Sequence, residues 1–422
     1  MIGTDQVRTR YEETPYQDYV SRQFDVARLL GLARLFGLRP GRDAGPLRVL
    51  DLGCASGLHV RTQAVQYPDV EFVGVDFTGE ELDRGRTAIA EEELTNVELI
   101  ESDLREFAVE PARFDLVLCS GTFSWVPDEV KEGILKLARS GLKPTGVAAV
   151  SYLTYPGWKL RESLRELLML RVAGTEDPAE RVRESARMLR FLQMVYKSNT
   201  TSPMAQVLTR VVEGMQTSSS NVFVHDELSR DHDPCYFLEF VEWADECGLH
   251  YLAEAELCTM RLMELPREAE PMLQELAPTF LETQQWIDFL VNRSGRSSLL
   301  VREDAKVAGE LERDALRELS FGLTAPVVEL LPSEERVTLE DSTGLSVTLE
   351  APGFAALADA LRSEAPAPLS FLELQTALDG QVDKEVLLEH LLHLIGCSLI
   401  DPVFPISTDV SGKGKAGPPR II

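Results

Sequence analysis

Three acids close three short apolar runs: Asp51 in RVLDLG, Asp76 in VGVDF and Asp103 in LIESDL. Behind the first stands GCASG, where Gly53 and Gly57 flank Ala55. A glycine-rich turn that leaves a strand and opens a helix aims backbone N–H groups and the positive helix end at a ligand. A dinucleotide is the first candidate, but its G-x-G-x-x-G spacing is met only in part, because residue 55 is alanine and residue 58 is leucine. Asp51 would also repel a pyrophosphate. A ligand with an ammonium, a sulfonium and no phosphate suits this acid better, and S-adenosylmethionine is such a ligand. Asp76 is then placed to take the ribose hydroxyls and Asp103 the adenine amino group. Phe77 and Leu104, which follow those acids, serve either as core residues or as walls against adenine. Each acid alone would pass for a helix cap or a turn residue. Their succession on three strands points to one cofactor site made of Asp51, Gly53, Ala55, Gly57, Asp76, Phe77, Asp103 and Leu104.

Methyl transfer from a sulfonium is an in-line displacement with a neutral leaving group, so the protein chiefly aligns the reactants and excludes water. An amine acceptor must in addition shed a proton, since a lysine titrates near about 10.4 when unperturbed. The next two apolar runs end in SGTFSW and SYLTY, which gather Ser120, Thr122, Ser124, Tyr152 and Tyr155 near the expected methyl group. Ser120, Thr122 and Tyr152 are the candidate catalytic residues, positioning an acceptor or relaying its proton, and Ser120 also borders the cofactor. Trp125 is expected to pack. His390 and His393 sit at helical spacing and read as partly buried, while His225 and His232 fall in a polar loop; no metal site is predicted.

Positioning these residues takes a sheet. From residue 47 short apolar runs alternate with amphipathic stretches: strands near 47–53, 71–77, 97–103, 114–121 and 146–153, and helices near 58–66, 80–92 and 128–142. Strands separated by helices give right-handed crossovers and a doubly wound, Rossmann-like α/β fold. Residues 1–156 form an N-terminal cap and the cofactor-binding core. Residues 157–230, helical in pattern, interrupt the sheet as an insertion that acts as a lid. Residues 231–305 return a helix (236–248) and two strands (249–257, 296–303) that complete it. Residues 306–422 read as a winged-helix-like α+β domain: helical content at 307–320, two strand-like pieces, three short helices and a mobile tail from Ser407. It is expected to recruit a partner or to dimerise.

The 422 residues carry a net charge of −27, which argues against phosphate backbones and anionic lipid as partners. No apolar stretch approaches the roughly 20 residues of a membrane span, and the N-terminus lacks the apolar centre of a signal peptide. Six cysteines without a C-x-x-C pair suggest reduced thiols and a cytoplasmic protein.

Several stretches carry a family resemblance: YEETPY (11–16), ARLFGL (33–38), VLDLGCASG (49–57), SGTFSWVPDEV (120–130), VSYLTYPGW (150–158), CYFLEFVEWADECGLHYLAEAEL (235–257) and DFLVNRSGRSSLLVR (288–302). They resemble class I S-adenosylmethionine-dependent methyltransferases, and more narrowly the bacterial ones with a methyltransferase regulatory domain. The resemblance implies S-adenosyl-L-methionine as cofactor and Tyr11 and Tyr16 as part of a cap across it. It also implies an acceptor such as a protein lysine, since members modify lysines of outer-membrane proteins. A small metabolite acceptor and a silent S-adenosylmethionine-binding scaffold are the alternatives. The sequence departs from the family at Phe24, Asp25 and Val26, where relatives have Thr-His-Pro, and at Ser120, Gly121, Thr122 and Phe123, where they have His-Gly-Val-Tyr. Both departures remove an imidazole near the expected reaction centre.

Overall fold

The computed structural model describes residues 19–406, apart from 42–44, 218, 230–231, 262–265, 267, 309, 325 and 341–345. Tyr11, Tyr16 and the tail from Ser407 therefore lie outside the described residues. A seven-stranded sheet forms the centre: β1 (Arg48–Leu52), β2 (Glu71–Asp76), β3 (Val97–Glu101), β4 (Phe114–Cys119), β5 (Leu142–Leu153), β6 (Leu249–Glu254) and β7 (Gly295–Arg302). Its order is β3-β2-β1-β4-β5-β7-β6, with β1 to β5 parallel and β7 antiparallel to both neighbours. Every residue of β4 is buried, as a central strand covered on both faces requires. Successive side chains go to opposite faces. Val49, Leu116, Leu118, Val147 and Leu299 join one apolar cluster, and Leu50, Val117, Cys119, Ala148 and Leu300 the other.

Helix α1 (Val26–Leu35) lies over the first face and is buried at all ten positions. A helix apolar nearly all round needs cover on more than one side, and here the chain's far end supplies it. Phe404 N–H donates to Ala27 O at 2.8 Å, and a Cβ on Gly31 would stand 2.1 Å from Pro402 O. The two buried arginines of α1 are matched by carboxylates: Arg28 with Asp401 at 2.6 Å, Arg34 with Glu318 at 2.8 Å and Glu312 at 2.7 Å.

Helices α2 (Leu58–Gln66), α3 (Gly79–Glu91) and α4 (Asp128–Gly141) make the crossovers. The expected insertion is four helices, α5 (Trp158–Arg171), α6 (Pro178–Ser198), α7 (Pro203–Gln216) and α8 (Ser220–Leu228), with a small core of their own around Leu164, Leu168, Leu189, Val212 and Met215. Helix α9 (Phe237–Glu246) leads back to β6. Two helices missed in the sequence, α10 (Glu270–Leu276) and α11 (Phe280–Val291), separate β6 from β7.

Beyond β7 the chain is richer in strands than its sequence suggested. Strand β8 (Ser320–Leu323) pairs with β12 (Leu369–Ser370) and β13 (Ile400–Val403). Strands β9 (Val327–Leu331), β10 (Arg336–Glu340) and β11 (Ser346–Glu350) form a second small sheet, beside α12 (Phe354–Glu364), α13 (Phe371–Ala377) and α14 (Lys384–Gly396). The helix expected over 307–320 shrinks to one 3₁₀ segment, Arg313–Glu318. The N–H groups of Ala308 and Glu312 instead donate to Phe36 O and Leu35 O at the end of α1. Groups spent there are not available to a helix of their own.

Candidate functional site

Beyond β1 the backbone enters the left-handed region three times, with φ +81° at Gly53, +49° at Ala55 and +72° at Gly57. Gly53 cannot be replaced cheaply, because its Cβ would lie 2.3 Å from Thr122 Oγ1. Ala55 does carry a Cβ in that region, a conformation costing about 1–3 kcal/mol. Its N–H is held by Asp76 Oδ2 at 2.9 Å, while Asp76 Oδ1 accepts from Thr78 N–H at 2.9 Å. The acid ending β2 thus fixes the turn that follows β1.

A cavity of about 460 Å³ opens over this turn. Asp51, Gly53, Ala55, Asp76, Phe77, Asp103, Leu104, Ser120 and Thr122 all line it, so nearly the whole site expected from sequence comes together. Phe77 and Leu104 are walls of the cavity, with Leu104 also in the core behind it. Gly57 stands behind the turn as the N-cap of α2, close against Leu99.

Tyr152 goes elsewhere. It is 4% exposed, stacks on Phe240 at 4.0 Å and shares a hydrogen bond of 3.1 Å with Ser298 Oγ. Burial pushes its phenol well above the ordinary value, with the Glu254 charge adding to the shift. The physical reason is strand parity: on β5 it is Ser151 that turns toward the loop after β4, accepting the Gly121 N–H at 2.8 Å, so Tyr152 must face the opposite side. Tyr155 is likewise drawn away, donating to Glu162 at 2.7 Å. Asp25 serves the structure, since its carboxylate caps α1 through Arg28 N–H and accepts from Tyr67 Oη at 3.1 Å.

Carboxylates dominate the walls: Asp51, Asp76, Glu81, Asp103, Asp128, Glu129, Asp226 and Asp233 face the cavity, against Arg105 as the one Lys or Arg among the described lining residues. Asp103 binds that guanidinium at 2.5 Å. Asp51 is 4% exposed, and burial, helped by the Asp76 charge, raises its carboxyl to about 7. Burial raises Asp76 too, opposed by the N–H groups of Thr78 and Ala55. This donor set suits S-adenosylmethionine, with carboxylates for its cations and hydroxyls and no cluster of cations for a phosphate.

Several lining residues were not read from the sequence. Tyr19 shares a hydrogen bond of 3.2 Å with Ser120 Oγ. His59, in the first turn of α2, donates from Nε2 to Phe24 O at 3.2 Å, and its Nδ1 is buried without a partner among the described residues. Its spacing two residues past Gly57 was the available signal. The insertion reaches the cavity with His225 and Asp226, and the segment after it with His232 and Asp233, so the two histidines assigned to a polar loop are wall residues, His225 on α8 and only 3% exposed. His232 stands between Arg165 at 3.1 Å and Glu162 at 3.3 Å, and burial followed by the Arg165 charge holds it below its usual value. Trp125 lines the cavity while packing edge-on to Trp158, ring centres 6.4 Å apart. An ion pair from Asp233 to the buried Lys131 ties the segment that follows the insertion to α4.

Residues 49–146 match the family "Methyltransferase domain", and residues 219–302 match the "Predicted methyltransferase regulatory domain". The uncharacterized protein RP789 of Rickettsia prowazekii is 29% identical over 341 residues, 81% of this chain and 61% of that relative. This chain therefore spans less than two thirds of that relative's length. A second protein of the same organism, RP028, is 28% identical over 56% of this chain and 94% of its own length. Trans-aconitate 2-methyltransferase of Azoarcus sp. is 31% identical over 33% of this chain and 49% of its own. The structure of PKMT2 from Rickettsia typhi superposes with a TM-score of 0.78 at 24% identity, over 92% of this chain and 78% of that one. PKMT2 in complex with AdoHcy superposes with a TM-score of 0.77 at 24% identity, over 92% of this chain and 77% of that one.

Sheet order and the family match over residues 49–146 together give the chain a class I S-adenosylmethionine-dependent methyltransferase domain, with S-adenosylmethionine as its cofactor. More narrowly, residues 219–302 are similar to the regulatory domain, and that stretch is no appendage here. The matched stretch supplies α8, α9 and the strands β6 and β7 that complete the central sheet. Among the described residues no helix is long and apolar enough to cross a membrane.

Proposed function

We propose that the chain transfers a methyl group to an amine, specifically the side chain of a lysine in a protein. The carrying observation is the acidic lining: eight acidic side chains and Arg105 line one cavity, and although Glu81, Asp103, Asp128 and Asp233 pair with Arg84, Arg105 and Lys131, the balance stays acidic and favours a cation over an anion. A polycarboxylate acceptor such as the one in the name of the trans-aconitate relatives would meet a lining of net negative charge. The sequence landmarks shared with bacterial protein lysine methyltransferases support the same acceptor.

Bound S-adenosylmethionine supplies an electrophilic methyl and a neutral leaving group; the amine lone pair forms the new C–N bond as the C–S bond breaks, and a proton leaves the nitrogen. The protein's own part is binding, alignment and proton handling. Asp51, Asp76 and Asp103 hold the donor end of the cavity, with Asp51 assigned to a positive group. Ser120 and Tyr19 offer hydroxyls beside the expected methyl position, and Thr122 closes against the turn. These hydroxyls orient the amine and pass its proton outward, which requires no imidazole at position 120.

The test is incubation of the protein with methyl-labelled S-adenosylmethionine and a lysate of its host, followed by mass spectrometry of the labelled product. A base-stable methyl on lysine nitrogen is expected. A label released in mild base would point to an ester and overturn the assignment, and AdoHcy binding with no transfer would favour a silent scaffold.

A further inference from the structure

A second cavity, of about 450 Å³, adjoins the first and shares Tyr19, Ser21 and Ser120 with it. The hydrogen bond from Tyr19 to Ser120 stands where the two meet. The floor of the second cavity follows from strand register. Cys119 of β4 pairs with Val150 of β5, so the next residues, Ser120 and Ser151, are also neighbours, and Ser151 pairs with Ser297 of β7. All three serines line the second cavity, as a row across three adjacent strands that begins at the donor site and leads away from it. Ser297 Oγ donates to Gln23 Oε1 at 2.9 Å on the opposite wall. The charges there are matched: Glu256 pairs with Arg22 at 2.7 Å and with Arg28 at 3.2 Å, and Arg22 also pairs with Asp401 at 2.6 Å.

We propose that this serine-floored cavity is the route by which the acceptor side chain reaches the donor, its reactive end arriving at Ser120 as the Tyr19–Ser120 hydrogen bond opens. The inference rests on the proposed amine transfer and adds where the amine comes from. In-line displacement requires the nucleophile to approach from the side away from the leaving group, so donor and acceptor need separate approaches to one point. Two cavities that meet at Ser120 provide them. A volume of about 450 Å³ lies inside the range of ligand sites, roughly 300–1,000 Å³. Its hydroxyls accept hydrogen bonds from an ammonium without trapping it in an ion pair, and the half-exposed Tyr19 offers a ring against which an aliphatic stem can lie.

The test uses the whole chain with Ser297→Cys, since Ser297 lines the second cavity and not the first. Alkylation with N-ethylmaleimide fills the row at its far end, wild type treated identically controls for the native thiols, and the variant before alkylation is the reference. Methyl transfer from labelled S-adenosylmethionine to lysate protein is expected to fall by about tenfold or more on alkylation, with AdoHcy affinity by calorimetry unchanged. Gln23→Trp blocks the same space from the opposite wall and should give the same split between transfer and donor binding. Undiminished transfer in the alkylated variant overturns the route, as does a parallel loss of AdoHcy affinity, which would make the cavity part of the donor site. Identifying the methylated residue separates the two proposals: blocked transfer to an atom other than lysine nitrogen removes the acceptor assignment and leaves the route standing.

Discussion

Asp51 and Asp76 face the same cavity from adjacent strands, and the charge on Asp76 adds to burial in raising the Asp51 carboxyl from 3.8 to about 7. For the protein without ligand the sign is clear. An acid whose pKa is raised on folding contributes stability that is present below its unfolded value and is lost as pH rises toward the folded value. A cation placed beside Asp51 reverses the preference by favouring the carboxylate. AdoHcy, which keeps the ammonium, should therefore bind more tightly as pH rises through about 7, and Asp51→Asn should flatten that slope. Calorimetry across this range measures both. An equal slope in wild type and Asp51→Asn would remove Asp51 from the donor site.

Asp76 combines two roles, holding the turn through Ala55 N–H and offering its remaining lone pairs to a ligand. Asp76→Ala should weaken AdoHcy binding by about 1.5–3 kcal/mol, the size of hydrogen bonds to a charged group. The added relaxation of Ala55 should be visible as a shifted amide resonance in the turn even without ligand. Unchanged affinity would contradict the placement.

Much of this was legible because it is local. Alternating apolar runs of β1 to β5, the GCASG turn and the strand-end acids all lie within about one hundred residues, and each signals its own conformation. Tyr152 was misplaced because the parity of a buried strand cannot be read from a run such as VAAVSYL, apolar on both faces. His59 was passed over because nothing in the sequence shows that Phe24 O will take its Nε2 proton and leave Nδ1 without a partner among the described residues. The far end of the chain was opaque for the same cause: the cover of α1 by Pro402 and Phe404 joins residues more than 370 positions apart.

That cover is directly testable at Gly31. A methyl group there would stand 2.1 Å from a backbone oxygen, Pro402 O, which cannot swing aside as a side chain would. Gly31→Ala should destabilise the protein by about 1–3 kcal/mol through overpacking, read as a lowered unfolding midpoint. Asp401→Asn, which weakens the pairing with Arg22 and Arg28, should act in the same direction. A wild-type midpoint in Gly31→Ala would mean that β13 does not sit on α1 in solution.

The four-helix insertion places His225 and Asp226 on the cavity wall, the segment that follows it adds His232 and Asp233, and the insertion keeps a small core of its own. The segment that follows it is tied to the core by polar contacts: Asp233 to Lys131, Asp233 N–H to Ser124 O at 2.8 Å, and Cys235 N–H to Leu153 O at 3.2 Å. Lids of this kind close over bound ligand and exclude water from the reaction. Hydrogen exchange with and without AdoHcy should therefore show slower exchange in α8 and in the segment around Asp233 when ligand is present. Lys131→Ala, which leaves Asp233 without its cation, should raise exchange there in the free protein and reduce the protection gained on binding. Identical exchange with and without AdoHcy would assign the insertion a fixed structural role, and the carboxylates it brings would then attract the acceptor without closing over it.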